Sequence, residues 1–189
     1  MKNDGFFPQA TEQQQKTITK KINEFYKTGM MIYKKALELK REEEKLSEYS
    51  YGEEELAALL RESVVFLNKL GTEKINKAAE NKYVAAITYL KEMMISPKAS
   101  AQITADELYK DGLEAYEKAQ KLDDEGHRFF NCMKDEGLAR ILIEDAKLLG
   151  ELGQEKLKEA AEKGSEGAIT YLNELNAKDQ LPSSSCSIL

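Results

Sequence analysis

The sequence predicts an all-α protein of about six antiparallel helices, arranged as two tandem three-helix units. Composition is the first ground. Of 189 residues, 33% are charged and 41% hydrophobic, with three prolines and no tryptophan, a balance that favours helices with apolar inner stripes and charged outer faces. Internal duplication is the second. At a shift of 82, residues 70–94 (LGTEKINKAAENKYVAAITYLKEMM) lie over 152–176 (LGQEKLKEAAEKGSEGAITYLNELN) with 13 of 25 positions identical, where unrelated sequences share roughly one or two. At a shift of 83, residues 26–39 lie over 109–122 with seven of fourteen identical, in the pattern Y-K-x-G-x-x-x-Y-x-K-A-x-x-L. The third ground is periodicity: Leu56, Leu59, Leu60, Leu67 and Leu70 recur at helical spacing, as do Leu138, Ile141, Leu142, Leu149 and Leu152.

The elements follow in order. Residues 1–10 read as a flexible N-terminus and 11–95 as the first unit. Thr11-Glu12-Gln13-Gln14 fits a capping box, in which hydroxyl and amide side chains satisfy the orphan backbone donors of a helix starting near residue 12. The run Lys40-Arg41-Glu42-Glu43-Glu44-Lys45 reads as a solvated helix end with i,i+4 ion pairs, worth tenths of a kcal/mol each. The one-residue change of shift places an insertion or deletion in the turns around 50–52 and 123–126, where exposed chain tolerates it. The second helix carries the first leucine stripe and is expected to kink or break at Gly71, because glycine costs a helix interior about 1 kcal/mol against alanine. A third helix is expected over about 83–94, and 96–103 as a linker.

The second unit spans 104–176. Thr104-Ala105-Asp106-Glu107 is its capping box and starts a helix near 105, which Asp123-Asp124-Glu125-Gly126 should end and turn. The next helix carries the second stripe, with Gly153 where copy one has Gly71, and the last is expected over 165–176. Ala78, Ala79, Ala86, Ala160, Ala161 and Ala168 let helices approach closely, and Tyr89 and Tyr171 fill the space between layers; these are packing residues.

Ala160-Ala161-Glu162-Lys163-Gly164, followed by Ala168 and Leu172, resembles the A-A-E-x-G-x-x-x-A-x-x-x-L core of Sel1-like repeats, relatives of tetratricopeptide repeats. Copy one keeps Ala78, Ala79, Glu80, Ala86 and Leu90 and has Lys82 where that pattern has glycine. Residues 26–29 and 33–39 are similar to tetratricopeptide helices. The resemblance implies an α-α superhelix of stacked helix pairs that offers a concave face to a protein or peptide partner.

Charge narrows the partner further. Twenty-eight Lys and Arg stand against 34 Asp and Glu, a net charge of −6, with signs alternating along the chain. Nucleic acid requires a concentrated basic face and is therefore not expected. Neither a signal peptide nor a membrane span is legible, and Cys132 and Cys186 lie far apart; the expected setting is a reducing cytosol.

From 177 onward the chain has the composition of a flexible spacer, with Pro182 and a serine run, and ends in Cys186-Ser187-Ile188-Leu189. This matches a C-a-a-X prenylation signal, in which the Cys186 thiolate takes the lipid, Ser187, Ile188 and Leu189 are recognised, and the terminal leucine favours geranylgeranyl. That lipid is the only cofactor-like group expected, a prenyltransferase is an implied partner, and the protein would be peripheral on a cytosolic membrane face. The alternative is a soluble interaction protein whose tail is inert or serves as a PDZ ligand, which Ser187-x-Leu189 also fits and which would exclude lipidation. Helical repeats with such a tail resemble prenylated effectors of intracellular bacteria, which act in the host cell.

Catalytic chemistry is not expected. His127 and Cys132 could be drawn as a nucleophile pair, but no oxyanion donor or orienting group accompanies them, and one histidine without a Cys-x-x-Cys is a poor metal signal. No metal site and no glycine-rich phosphate loop is expected. The residues expected to anchor a partner are Tyr49 and Tyr51 in copy one and Phe129 and Phe130 in copy two, all on the connection between first and second helices.

Overall fold

The computed structural model describes residues 12–49, 53–93, 103–133 and 135–179. Among these, six α-helices account for nearly every residue and there is no strand: α1 (Glu12–Tyr49), α2 (Glu54–Glu80), α3 (Val84–Glu92), α4 (Ala105–Arg128), α5 (Glu136–Glu162) and α6 (Glu166–Asp179). A π turn, Phe129–Met133, follows α4. Each sequence copy thus folds as three helices, α1–α2–α3 and α4–α5–α6. The leucine stripes are the inner faces: Leu56, Leu60, Leu67 and Leu70 are buried on α2, and Leu138, Leu142, Leu149 and Leu152 on α5.

The compact units do not follow the sequence copies. Residues 12–36 and 67–93 form one, whereas 37–49 and 53–66 of copy one belong to a second that also holds 103–133 and 135–179.

In the first unit, Ile75, Ala78, Ala79, Ala86 and Leu90 form a core against which Tyr26, Tyr33, Tyr83 and Tyr89 pack. The rings of Tyr33 and Tyr89 are 5.7 Å apart and those of Tyr26 and Tyr83 5.3 Å, tilted as aromatic quadrupoles prefer. Their hydroxyls find partners: Tyr83 donates to Asn23 Oδ1 at 3.0 Å, and the Tyr33 and Thr72 hydroxyls are 2.6 Å apart. In the second unit α4 lies along α5, and α6 packs on α5. Leu108, Leu157, Ala160 and Ala168 are its equivalent core, with Tyr116 and Tyr171 edge-on at 5.8 Å. Ile103, inside the expected linker, packs on this core, and its carbonyl accepts from Lys163 Nζ at 2.8 Å.

Gly71 and Gly153 do not break their helices; α2 and α5 continue through them without interruption. They are contact points. A Cβ on Gly29 of α1 would meet Ile75 Cγ1 at 2.6 Å and the Gly71 carbonyl oxygen at 3.0 Å; on Gly112 of α4 it would meet Leu157 Cγ at 2.7 Å and the Gly153 carbonyl oxygen at 3.2 Å. Each copy therefore crosses its first two helices glycine on glycine.

Asp123-Asp124-Glu125-Gly126 does not turn the chain either. Gly126 is buried within α4, where a Cβ would meet Ile143 Cγ1 at 2.7 Å and the Ala139 carbonyl at 3.2 Å, and close packing on α5 overrides the turn-like composition. At the other end of α4 the Thr104 capping box is complete: the Glu107 N–H donates to Thr104 Oγ1 at 3.2 Å and the Thr104 N–H to Glu107 Oε2 at 2.8 Å. Its counterpart at Thr11 lies outside the described residues, as do 1–10 and 50–52.

The second helix of each copy ends in the same hydrogen-bonded stop. Tyr83 N–H donates to Ala78 O at 3.1 Å and Lys82 N–H to Ala79 O at 2.8 Å; Ser165 N–H donates to Ala160 O and Gly164 N–H to Ala161 O, both at 3.0 Å. This Schellman arrangement needs a left-handed residue, supplied by Lys82 (φ 61°) and Gly164 (φ 89°). Ser165 then caps α6, accepting from the Ala168 N–H at 3.3 Å. That helix continues to Asp179, so residues 177–179, expected to begin a flexible tail, are helical.

Candidate functional site

Three helix stripes of the second unit surround a groove of about 420 Å³. From α4 come Tyr116, Ala119, Gln120 and Asp123; from α5, Ile143, Ala146, Lys147 and Gly150; from α6, Tyr171, Glu174 and Leu175. The α4 and α5 sets each follow i, i+3, i+4, i+7, and the α6 set i, i+3, i+4, so every helix presents one face. The floor is alanine, isoleucine, leucine and tyrosine ring; the polar lining is Gln120, Asp123, Lys147 and Glu174.

Gly150 keeps the groove open. A Cβ there would meet nothing within 4 Å, whereas on Gly112, Gly126, Gly153 and Gly167 it would meet a neighbour at 3.0 Å or closer. Packing therefore does not require glycine at 150, and helix propensity disfavours it by roughly 0.5–1 kcal/mol. Burial, followed by the Tyr109 hydroxyl and the carboxylates of Glu117 and Glu174, raises the Tyr171 phenol above its ordinary pKa and keeps it neutral.

A second hollow of about 430 Å³ lies between Glu55, Leu56, Ala58, Leu59 and Glu62 of α2 and Lys121, Asp124 and Glu125 of α4. Ion pairs bind the two helices around it. Lys118 donates to Glu62 at 3.0 Å, and Arg128 bridges Glu53 at 2.8 Å and Glu125 at 2.6 Å. The Lys118 hydrogen bond and charge lower the Glu62 pKa. The hollow is a salt-bridged seam.

The aromatic pair of copy two is divided by the π turn. Phe129 is 4% exposed and lies 4.8 Å beneath the Arg128 guanidinium; it is core, and the expectation that it anchors a partner is corrected. Phe130 is 56% exposed. Successive side chains on a helical turn point in different directions, and here one faces inward and the next outward. Tyr49 is the last residue of α1, and Tyr51 lies outside the described residues. So do Cys186, Ser187, Ile188 and Leu189. His127 is exposed, with Nε2 3.7 Å from Asp123 Oδ2, and Cys132 is an exposed free thiol in the π turn. In the Lys40–Lys45 run, Lys40 pairs with Glu44 at 3.7 Å, but Glu43 reaches Arg61 of α2 at 2.7 Å and is largely covered.

The groove was not legible in advance. Gln120, Lys147, Gly150 and Glu174 carried no expectation from the sequence, and Asp123 was expected in a turn. The available signal was divergence between the copies: Gly150 aligns with Asn68, Lys147 with Val65 and Ile143 with Arg61. Among the described residues no group of three or more metal-ligating side chains gathers, and no helix is long and apolar enough to cross a membrane. No protein-family model, no curated protein and no solved structure matches the chain.

Proposed function

We propose that the protein is a non-enzymatic interaction scaffold, a Sel1/tetratricopeptide-like helical repeat whose partner site is the groove of the second copy. The observation that carries this reading is Gly150, which leaves apolar surface uncovered where neither packing nor helix propensity calls for glycine. Grooves of several hundred Å³, mainly apolar with a few placed polar groups, are what ligands and peptides occupy. Phe130, exposed on the π turn of the same unit, is a further anchor.

Where Leu189 carries the terminal carboxylate, Cys186 is the geranylgeranylation site, with Ser187, Ile188 and Leu189 read by the prenyltransferase. The adaptor then sits on a cytosolic membrane face, in a host cell if it is a bacterial effector. One lipid holds a protein only reversibly, so a partner bound by the helical body would supply the second attachment.

Two measurements test this. Cross-linking and affinity capture on the full chain should yield a saturable partner, and its absence would contradict the scaffold. Intact mass after expression in eukaryotic cells should show a prenyl and carboxymethyl increment on a chain lacking its last three residues; an unmodified Cys186 would remove the membrane arm and leave the scaffold.

A further inference from the structure

We infer that the groove over Gly150 takes a cationic amphipathic helix of a protein partner, an inference that rests on the scaffold reading and names what the site recognises. The form of the partner follows from backbone chemistry. Peptides added as strands need an unpaired sheet edge, and the described residues contain no strand. A helix satisfies its own backbone and needs only an apolar floor for anchors spaced at i, i+3 and i+4, a spacing that the α4 and α5 walls themselves share. The open volume above Gly150 has room for one large apolar anchor, and Tyr116 and Tyr171 supply flanking aromatic surface.

The charge of the partner follows from the lining. Asp123 and Glu174 share the lining with one permanent cation, Lys147, while His127 of α4 stands 3.7 Å from Asp123 and adds a charge only when protonated; Glu117 acts with Glu174 on the Tyr171 hydroxyl. The surplus is acidic, and it stands beside tyrosine rings, a combination that attracts an ammonium or guanidinium both by charge and by ring quadrupole. The chain as a whole carries net charge −6, which steers the same class of partner.

The test uses the full chain and two labelled peptides about 18 residues, or five turns, long. One carries leucine on one face and lysine elsewhere; the other carries glutamate in place of lysine. The Leu/Lys peptide should bind in a salt-dependent manner, and the Leu/Glu peptide should bind at least about tenfold more weakly. Gly150→Phe, which fills the groove from a position with open space above it, should weaken the Leu/Lys peptide about tenfold or more. Asp123→Asn with Glu174→Gln should weaken it about threefold and flatten the salt dependence. The double variant is isosteric and decides the question if Gly150→Phe fails to fold.

Equal binding of both peptides overturns the charge assignment. Unchanged binding to Gly150→Phe, or to the double variant, overturns the site. Concentration-dependent dimers that Gly150→Phe abolishes would put a second copy in the groove and overturn the assignment to a partner helix. A captured partner that binds Gly150→Phe as well as the native chain leaves the scaffold reading standing while removing this site from it. Failure of every capture contradicts the scaffold itself.

Discussion

The glycines separate into kinds that predict opposite responses to the same substitution. Gly29→Ala and Gly112→Ala drive a methyl into Ile75 and Leu157 beside partner backbone, and each should lower unfolding free energy by about 1–3 kcal/mol in urea titrations. Gly150→Ala meets open space and should raise it by roughly 0.5–1 kcal/mol. Lys82 holds the left-handed position that Gly164 holds in copy two, and its Cβ strains there. Lys82→Gly should therefore stabilise by about 1 kcal/mol and Gly164→Ala destabilise by a similar amount. Phe129→Ala should cost about 3–5 kcal/mol and Phe130→Ala under about 0.5, since only the first empties a packed space. Sequence identity at Gly71 and Gly153 was visible, but a helix interior glycine reads alike whether it bends a helix or admits another one. Only the crossing partners, Gly29 and Gly112, decide which.

Helix existence was legible because the leucine stripes and capping box agree with the tertiary packing; helix ends were less so. Asp123-Asp124-Glu125-Gly126 has the composition of a turn, yet α4 continues because Gly126 lets it close on Ala139 and Ile143, contacts from a segment beyond the reach of local propensity. The Lys118–Glu62 pair between α4 and α2 is likewise a tertiary feature. Glu62 titrates below its ordinary value of 4.5, so the folded state holds fewer protons there than the unfolded one. Its contribution is complete above the ordinary carboxylate range and is lost as pH falls through the lowered value. Glu62 is well exposed, so Glu62→Gln should cost under about 1 kcal/mol at neutral pH and remove that part of the acid-side loss, read from thermal unfolding across pH. A variant with an unchanged acid-side slope would contradict the coupling.

At the scale of the whole molecule, one three-helix unit is used twice, with the same glycine crossing, the same tyrosine pair and the same helix stop. The duplication announced the repeated unit, since a shift of 82 or 83 carries Gly29 to Gly112, Gly71 to Gly153, Tyr33 to Tyr116 and Tyr89 to Tyr171; the glycine crossing and the helix stop emerged only in the structure. It did not announce the discontinuous compact units, in which 37–49 and 53–66 of copy one belong with the helices of copy two. Nor did it announce the groove, because shared positions build the scaffold and divergent ones line the site. The central claim is that the second copy opens a binding face at Gly150. Amide chemical-shift mapping of the full chain with the Leu/Lys peptide tests it most directly. The largest changes should fall at Gly150, Lys147, Tyr171 and Glu174; changes as large at the aligned Asn68, Val65, Tyr89 and Glu92, or spread along the acidic surface without a focus, would contradict it.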